Sequence, residues 1–257
     1  MKSKLFVGVL AVILVALFSG NSFGQQTTAS IQPGVISLIE GKVAINGKEI
    51  SLDSQKLHQL KEEDVVDAWG GRLEILLAPG IFLRVDEQTS IKLVANRLLN
   101  TRIEVKKGSV IIECLELARY NEIRLSGDST VALIQKPGLY RFDAKGHRLR
   151  VYNGEAEVTL PTGVKVIAKS KREVTLSAGN KANKFNTKEM DNLMRWSSIR
   201  AEFISATSTS TIRILLARGV YPYWNSSMWF WNPYFNSFGY LPYGGGIRSY
   251  YGPRYYN

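Results

Sequence analysis

Between Gly34 and Leu176 the chain repeats short segments in which apolar and polar residues alternate. The first set is Val35–Ile39, Lys42–Ile45, Leu73–Leu77, Ile81–Val85, Ile91–Leu93, Ile103–Val105 and Val110–Ile112. The second is Ile123–Leu125, Val131–Ile134, Leu139–Phe142, Leu149–Tyr152, Ala156–Val158, Val164–Val166 and Val174–Leu176. A period of two puts one face of each strand in a core and the other in water. Asn46-Gly47 is a strong hairpin signal, and Pro79-Gly80, Pro137-Gly138, Asn153-Gly154 and Pro161-Thr162-Gly163 punctuate the rest. Many short strands with tight turns predict an all-β barrel, sandwich or roll over residues 34–180. Leu76–Asp86 also echoes Leu133–Asp143: each reads strand, Pro-Gly turn, strand and a closing Asp, with the Pro residues 58 apart. The echo fits either a duplicated β unit or two hairpins that share a turn solution.

The pattern then changes. Residues 181–219 hold an amphipathic helix and a linker, with Met190, Leu193, Met194, Trp196, Ile199 and Phe203 at mostly helical spacing. Asn186, three residues before Glu189, fits a capping box, so the helix is expected from about Asn186 to Ser205. Thr207–Thr211 reads as a polar break, and Ile212–Ala217 as a last strand or a helical turn. Residues 220–257 form an aromatic tail rich in Gly, Pro and Asn, expected to be irregular. From Tyr221 to Asn257, fifteen of 37 residues are aromatic, and Pro222, Pro233, Pro242 and Pro253 forbid long regular elements. Such a tail can wrap over the β domain, stay disordered, or dock on a partner, a glycan or a membrane interface. If it docks, Trp224, Trp229, Trp231, Tyr234 and Tyr240 are the candidate partner-binding residues.

The start of the chain predicts export. Lys2 and Lys4 precede an apolar run of 14 residues, Leu5–Phe18, and small residues Ser22 and Gly24 follow. That is the layout of a secretory signal peptide over residues 1–24, cut before Gln25 and followed by a linker over 25–33. Retention as an anchor is the alternative, but the run is short of the ~20 residues that span a bilayer. After removal of the signal no transmembrane helix is expected. Cleavage removes two lysines and takes the formal net charge from +11 to +9. The expected location is the periplasm or the cell surface.

Candidate chemistry is sparse. One cysteine, Cys114, excludes a disulfide scaffold, and an apolar strand around it favours burial. Two histidines, His58 and His147, stand far apart in sequence, so no metal site or triad is expected. Glu62-Glu63-Asp64 with Asp67 reads as a charged turn, and Asp86 and Asp143 as turn acceptors. No phosphate loop, dinucleotide fingerprint or nucleophile elbow occurs, so no catalytic residue, cofactor or metal is assigned. Lys106-Lys107 and Lys169-Ser170-Lys171-Arg172 are dense basic groups. They suit an anionic envelope polymer, or else lysine-guarded strand edges; export argues against nucleic acid.

Gly70–Val85, with its Gly-containing turn, strand, turn and alternating strand, is similar to the signature of the FecR-type domain. Leu60–Val66 resembles the approach to that signature, with Glu63 where the family usually has Gly. Ala78-Pro79 replaces the usual Asp or polar residue before the turn. The resemblance extends over about Val43 to Tyr152. It implies an all-β, FecR-like fold with a β-roll or β-solenoid-like wrap and supplies no catalytic residues. The family's best-known members are periplasmic sensor halves of transmembrane regulators. They relay a signal from an outer-membrane siderophore transporter to a sigma factor. The sequence looks like a stand-alone exported version, without the cytoplasmic domain and internal transmembrane helix of those regulators. The favoured expectation is a non-catalytic envelope protein that binds or scaffolds a protein or an envelope polymer, with peripheral membrane contact through the tail. A signalling component coupled to an outer-membrane transporter is the alternative, and a polysaccharide-active envelope enzyme a third.

Overall fold

Two long strands, β1 (Val35–Ile45) and β3 (Val65–Ala78), form an antiparallel ribbon on which the rest of the protein is built. The computed structural model describes residues 33–51, 58–127, 129–175, 181–219 and 226–255. The predicted signal segment and most of the linker lie outside these residues. A short β2 (Lys48–Ile50) turns back on β1 through Asn46-Gly47, as the turn signal requires. Midway the ribbon bends where Gly41 lies opposite Gly71 and Lys42 opposite Gly70. Gly41 has φ +79°, and a Cβ on Gly71 would lie 2.2 Å from the Glu40 carbonyl oxygen. The backbones approach too closely for side chains, so both glycines are required by geometry.

The bend divides the sheet into two arms. Val65–Ala68 of β3 pair with β5 (Thr89–Arg97), which opens the first arm. It continues through β6 (Asn100–Lys107), β8 (Glu122–Gly127), β9 (Thr130–Ile134), β12 (Glu155–Thr159) and β13 (Lys165–Lys169). Leu73–Ala78 of β3 pair instead with β4 (Ile81–Val85), which opens the second arm. That arm continues through β7 (Ser109–Cys114), β10 (Gly138–Asp143), β11 (Arg148–Asn153), β14 (Arg172–Thr175) and β15 (Asn183–Lys184). Only β6 and β8 pair in parallel among the described strands. The arms face each other, and their inner residues form one core. Ile91, Leu93, Ile103, Val105 and Leu125 of the first meet Leu83, Val85, Ile112, Tyr140 and Phe142 of the second. The described residues therefore form an all-β, roll-like fold with a single helix.

The sequence echo acquires a structural meaning. Pro79-Gly80 closes a hairpin between β3 and β4, whereas the turn at Pro137-Gly138 carries the chain from the first arm to the second. The equivalence lies in β4 and β10, which flank β7 in one register. Leu83, Ile112 and Tyr140 share a row, and Arg84, Ile111 and Arg141 share the next.

The helix departs from its expected span. It runs as α1 over Asn192–Ala217. The Asp191 carboxylate caps it, accepting from the Met194 N–H at 2.9 Å. Asn186 and Glu189 bond to each other (3.2 Å) in the turn before the helix and do not form its cap. The polar run does not break it. Thr207, Ser208 and Thr211 each donate to the carbonyl four residues back, at 2.8–2.9 Å, so their hydroxyls are satisfied inside the helix. Ile212–Ala217 continue it to Gly219, at φ +71°. The tail forms two short ribbons, β16 (Met228–Asn232) with β17 (Ser237–Leu241), and β18 (Ile247–Arg248) with β19 (Arg254–Tyr255). Pro233, Pro242 and Pro253 fall between these strands, which keeps them short.

Candidate functional site

The outer faces of the two arms differ. Alternation alone assigns Glu74, Arg84 and Glu113 to water, but all three are fully buried. The second arm is covered on its outer face by α1 and the tail, so β4, β7 and β10 are buried on both sides, while β11, β14 and β15 beyond them stay partly in water. Beneath that cover runs a chain of alternating charges. Arg200 Nη2 of α1 donates to Glu74 Oε1 (2.9 Å), and Arg84 Nε donates to Glu74 Oε2 (2.9 Å). Arg84 Nη1 donates to Glu113 Oε2 (2.9 Å). The other Glu113 oxygen accepts from Ser249 Oγ (2.5 Å) and the Tyr250 N–H (3.2 Å) of the tail. Ser37 Oγ adds a bond to Glu74 Oε1 (2.9 Å). Burial alone would raise the Glu74 carboxyl pKa, but the Arg200 and Arg84 guanidiniums outweigh it and hold the group below its ordinary value. Four charges of alternating sign thus join β3, β4 and β7 to the helix, and Glu113 joins them to the tail.

A second ionic group fixes the start of α1. Arg141 donates to Asp143 Oδ1 (2.7 Å) and also binds the Asp191 cap. Ser109 Oγ donates to Asp143 (2.6 Å). Asp86, the counterpart of Asp143 in the echo, accepts from Arg72 Nε (2.7 Å). Each closing Asp therefore holds an arginine.

An aromatic cluster seals the same face. Phe82 of β4 lies 4.9 Å from Trp229, 5.9 Å from Tyr255 and 6.3 Å from Tyr240 between ring centroids. Of the five tail residues singled out in the sequence, Trp229 and Tyr240 are thus buried against the sheet, at 4% and 0% exposure. They serve the core and are not presented to a partner, because Phe82 needs an apolar cover that the sheet itself cannot supply. Trp231 is half-buried against Phe238 (5.0 Å), and Tyr234, at 75% exposure, stands in water. Trp224 lies outside the described residues.

The first arm keeps one face in water. Across it Arg102, Arg124, Leu133, Glu157 and Ile167 stand in one row of paired residues. Its last strand, β13, pairs with β12, and no described strand occupies its other edge. Leu160 N–H donates to Val164 O at 2.9 Å, which fixes the phase of the ladder. Counting from that bonded pair, Val166 and Ala168 bond to β12. Lys165, Ile167 and Lys169 aim their N–H and C=O groups at the open edge.

The remaining candidates have structural roles. Asp64 accepts from Lys61 N–H and from Asn46 Nδ2, both at 2.7 Å. Glu62 pairs with Arg97 (3.3 Å) and Glu63 with Lys92 (2.6 Å), so the acidic run is a charged turn. Cys114 is buried, and burial, with help from Glu116 and Glu113, pushes its thiol up to about 12. His58 Nε2 lies 3.0 Å from the Ser51 carbonyl, and His147 sits in the turn before β11. The buried charges could not be singled out in the sequence: a Glu or Arg every second residue looks the same whether it faces water or an ion partner.

No family model matches the chain, and no curated protein matches it. Two solved structures are similar in part, both described as a putative anti-sigma factor from Parabacteroides distasonis ATCC 8503. One is 11% identical with a TM-score of 0.38, and the match covers 51% of this chain and 61% of that one. The other is 10% identical with a TM-score of 0.39, covering 52% and 63%. The match therefore spans less than two thirds of either neighbour. No helix among the described residues is long and apolar enough to cross a membrane.

Proposed function

We propose that this is an exported, non-catalytic protein of the bacterial cell envelope, a FecR-like module that holds a protein partner along the open edge of β13. The observation that carries the reading is the asymmetry of the two arms. One is closed over by helix and tail, and its buried charges are engaged with one another. The other ends in a strand whose outward backbone groups at Lys165, Ile167 and Lys169 match an added strand. The FecR-like assignment has separate support at Glu63. This residue has φ +73°, a left-handed conformation that favours the Gly usual at that place in the family pattern.

The test is photo-crosslinking in cells from position Lys169, in the natural chain and in an Ile167→Pro background. Proline at 167 removes an outward N–H and no bond to β12, so the fold is expected to hold, with its stability changed by no more than about 1 kcal/mol. A discrete protein adduct that disappears in the Ile167→Pro chain is expected. Equal capture in both chains, or none in either, would refute the edge assignment. Capture of an outer-membrane transporter would give the protein the sensing role of the alternative reading.

A further inference from the structure

The turn between β5 and β6 consists of two leucines with about half their surface in water, Leu98 at 53% and Leu99 at 54%. Neither leucine has a positive φ, so the turn geometry accepts most residue types and does not itself ask for these side chains. A third apolar group joins them from elsewhere in the chain. Glu122 N–H donates to the Leu99 carbonyl (3.0 Å), and Asn100 pairs with Glu122, which brings the loop before β8 alongside. That loop presents Tyr120, 72% exposed, with the Arg119 guanidinium 5.8 Å from its ring.

The surround is basic. Arg97, Arg102, Arg119 and Arg124 flank the tip. Arg97 pairs with Glu62 (3.3 Å) and Arg124 with Glu122 (2.5 Å). Arg102 and Arg119 make no ion pair among the described residues. Four guanidiniums against two carboxylates leave a local excess of two positive charges, on a chain whose formal net charge is +11.

We infer that this tip docks on an anionic phospholipid bilayer surface. Leucines on a projecting turn enter the acyl boundary, a tyrosine sits at headgroup depth, and guanidiniums meet lipid phosphates. A protein partner fits less well: the two leucines stand on a projecting turn, and the unpaired guanidiniums beside it are of one sign. The surface is separate from the β13 edge, so the inference stands or falls independently of the proposed function.

The test uses the full chain with Leu99→Cys carrying an environment-sensitive fluorophore; Cys114, buried, is left unlabelled. With vesicles of equal parts phosphatidylglycerol and phosphatidylcholine, the label is expected to shift to the blue and to be quenched by brominated lipid. Vesicles of phosphatidylcholine alone should give a much weaker response. The same label at Ile199→Cys, on exposed α1 surface, should give neither effect. Reading at position 99 separates the tip from any insertion by residues 1–24. The pair Arg102→Ser and Arg119→Ser should weaken the tip response by up to about thirtyfold, from about a fivefold loss per guanidinium. Near-UV circular dichroism checks that each variant is folded. A folded protein whose label stays in water with the anionic vesicles would overturn the inference. So would an equal response with neutral lipid. Capture of a protein by a crosslinker at 99 without a lipid response would also overturn it and give the tip to that partner.

Discussion

Arg84 has no water contact, and both carboxylates it serves, Glu74 and Glu113, are equally buried. Removing one member of such a chain leaves an uncompensated charge inside, which costs about 3–5 kcal/mol. Arg84→Met should therefore lose stability of that order in urea unfolding. Replacing the whole chain together, with Glu74→Met, Arg84→Met, Glu113→Gln and Arg200→Met, should recover most of it. The replaced set carries no charge to desolvate, and the amide oxygen introduced by Glu113→Gln still accepts from Ser249. The pH dependence has a fixed sign. The Glu74 carboxyl is held below its ordinary 4.5, so its contribution is fully present above that pH and is lost as pH falls through the folded value. Acid titration of the natural chain should show this loss below pH 4.5, and Glu74→Gln should flatten that part of the curve. None of this chain was visible in the order of residues, because a period of two says which side chains share a face and not what covers it.

At the scale of elements, the strands were legible and the helix only in part. Alternating β-branched residues and Gly-containing turns placed most of the fifteen strands of the large sheet, since each strand needs only its own local pattern. The start of α1 was missed because Asn186 and Asp191 are both acceptable caps. Tertiary contact decides between them: Arg141 reaches Asp191. The end was missed because serine and threonine usually weaken a helix, whereas here their hydroxyls turn back to carbonyls in the chain's interior. Asp191→Ala removes the cap and the Arg141 pair. It should lower stability by about 1–2 kcal/mol, with fraying of the first turn seen as faster amide exchange at Leu193 and Met194. The same polar stripe lets the tail come close. A Cβ on Gly239 would lie 3.1 Å from the Ser208 backbone, which explains a glycine in the middle of β17.

For the whole molecule, the described part of the tail, residues 226–255, belongs to the folded body, which the sequence left open among three outcomes. Composition gave the aromatic content but not its destination; that depends on Phe82 and Leu76, more than 140 residues earlier, turning outward from the second arm. Trp229→Ala, which empties the middle of the Phe82–Tyr240 cluster, should cost about 3–5 kcal/mol in denaturant unfolding. Tyr234→Ala, at the exposed turn, should stay within about 0.5 kcal/mol. Glu113 shares its two oxygens between Arg84 and the segment at Ser249-Tyr250. A gene fusion that borrowed residues 34–180 alone would inherit a negative charge wanting one of its ligands and a ring of phenylalanine laid bare. The portable unit, in recombination as in protein engineering, is the longer stretch that carries its own lid.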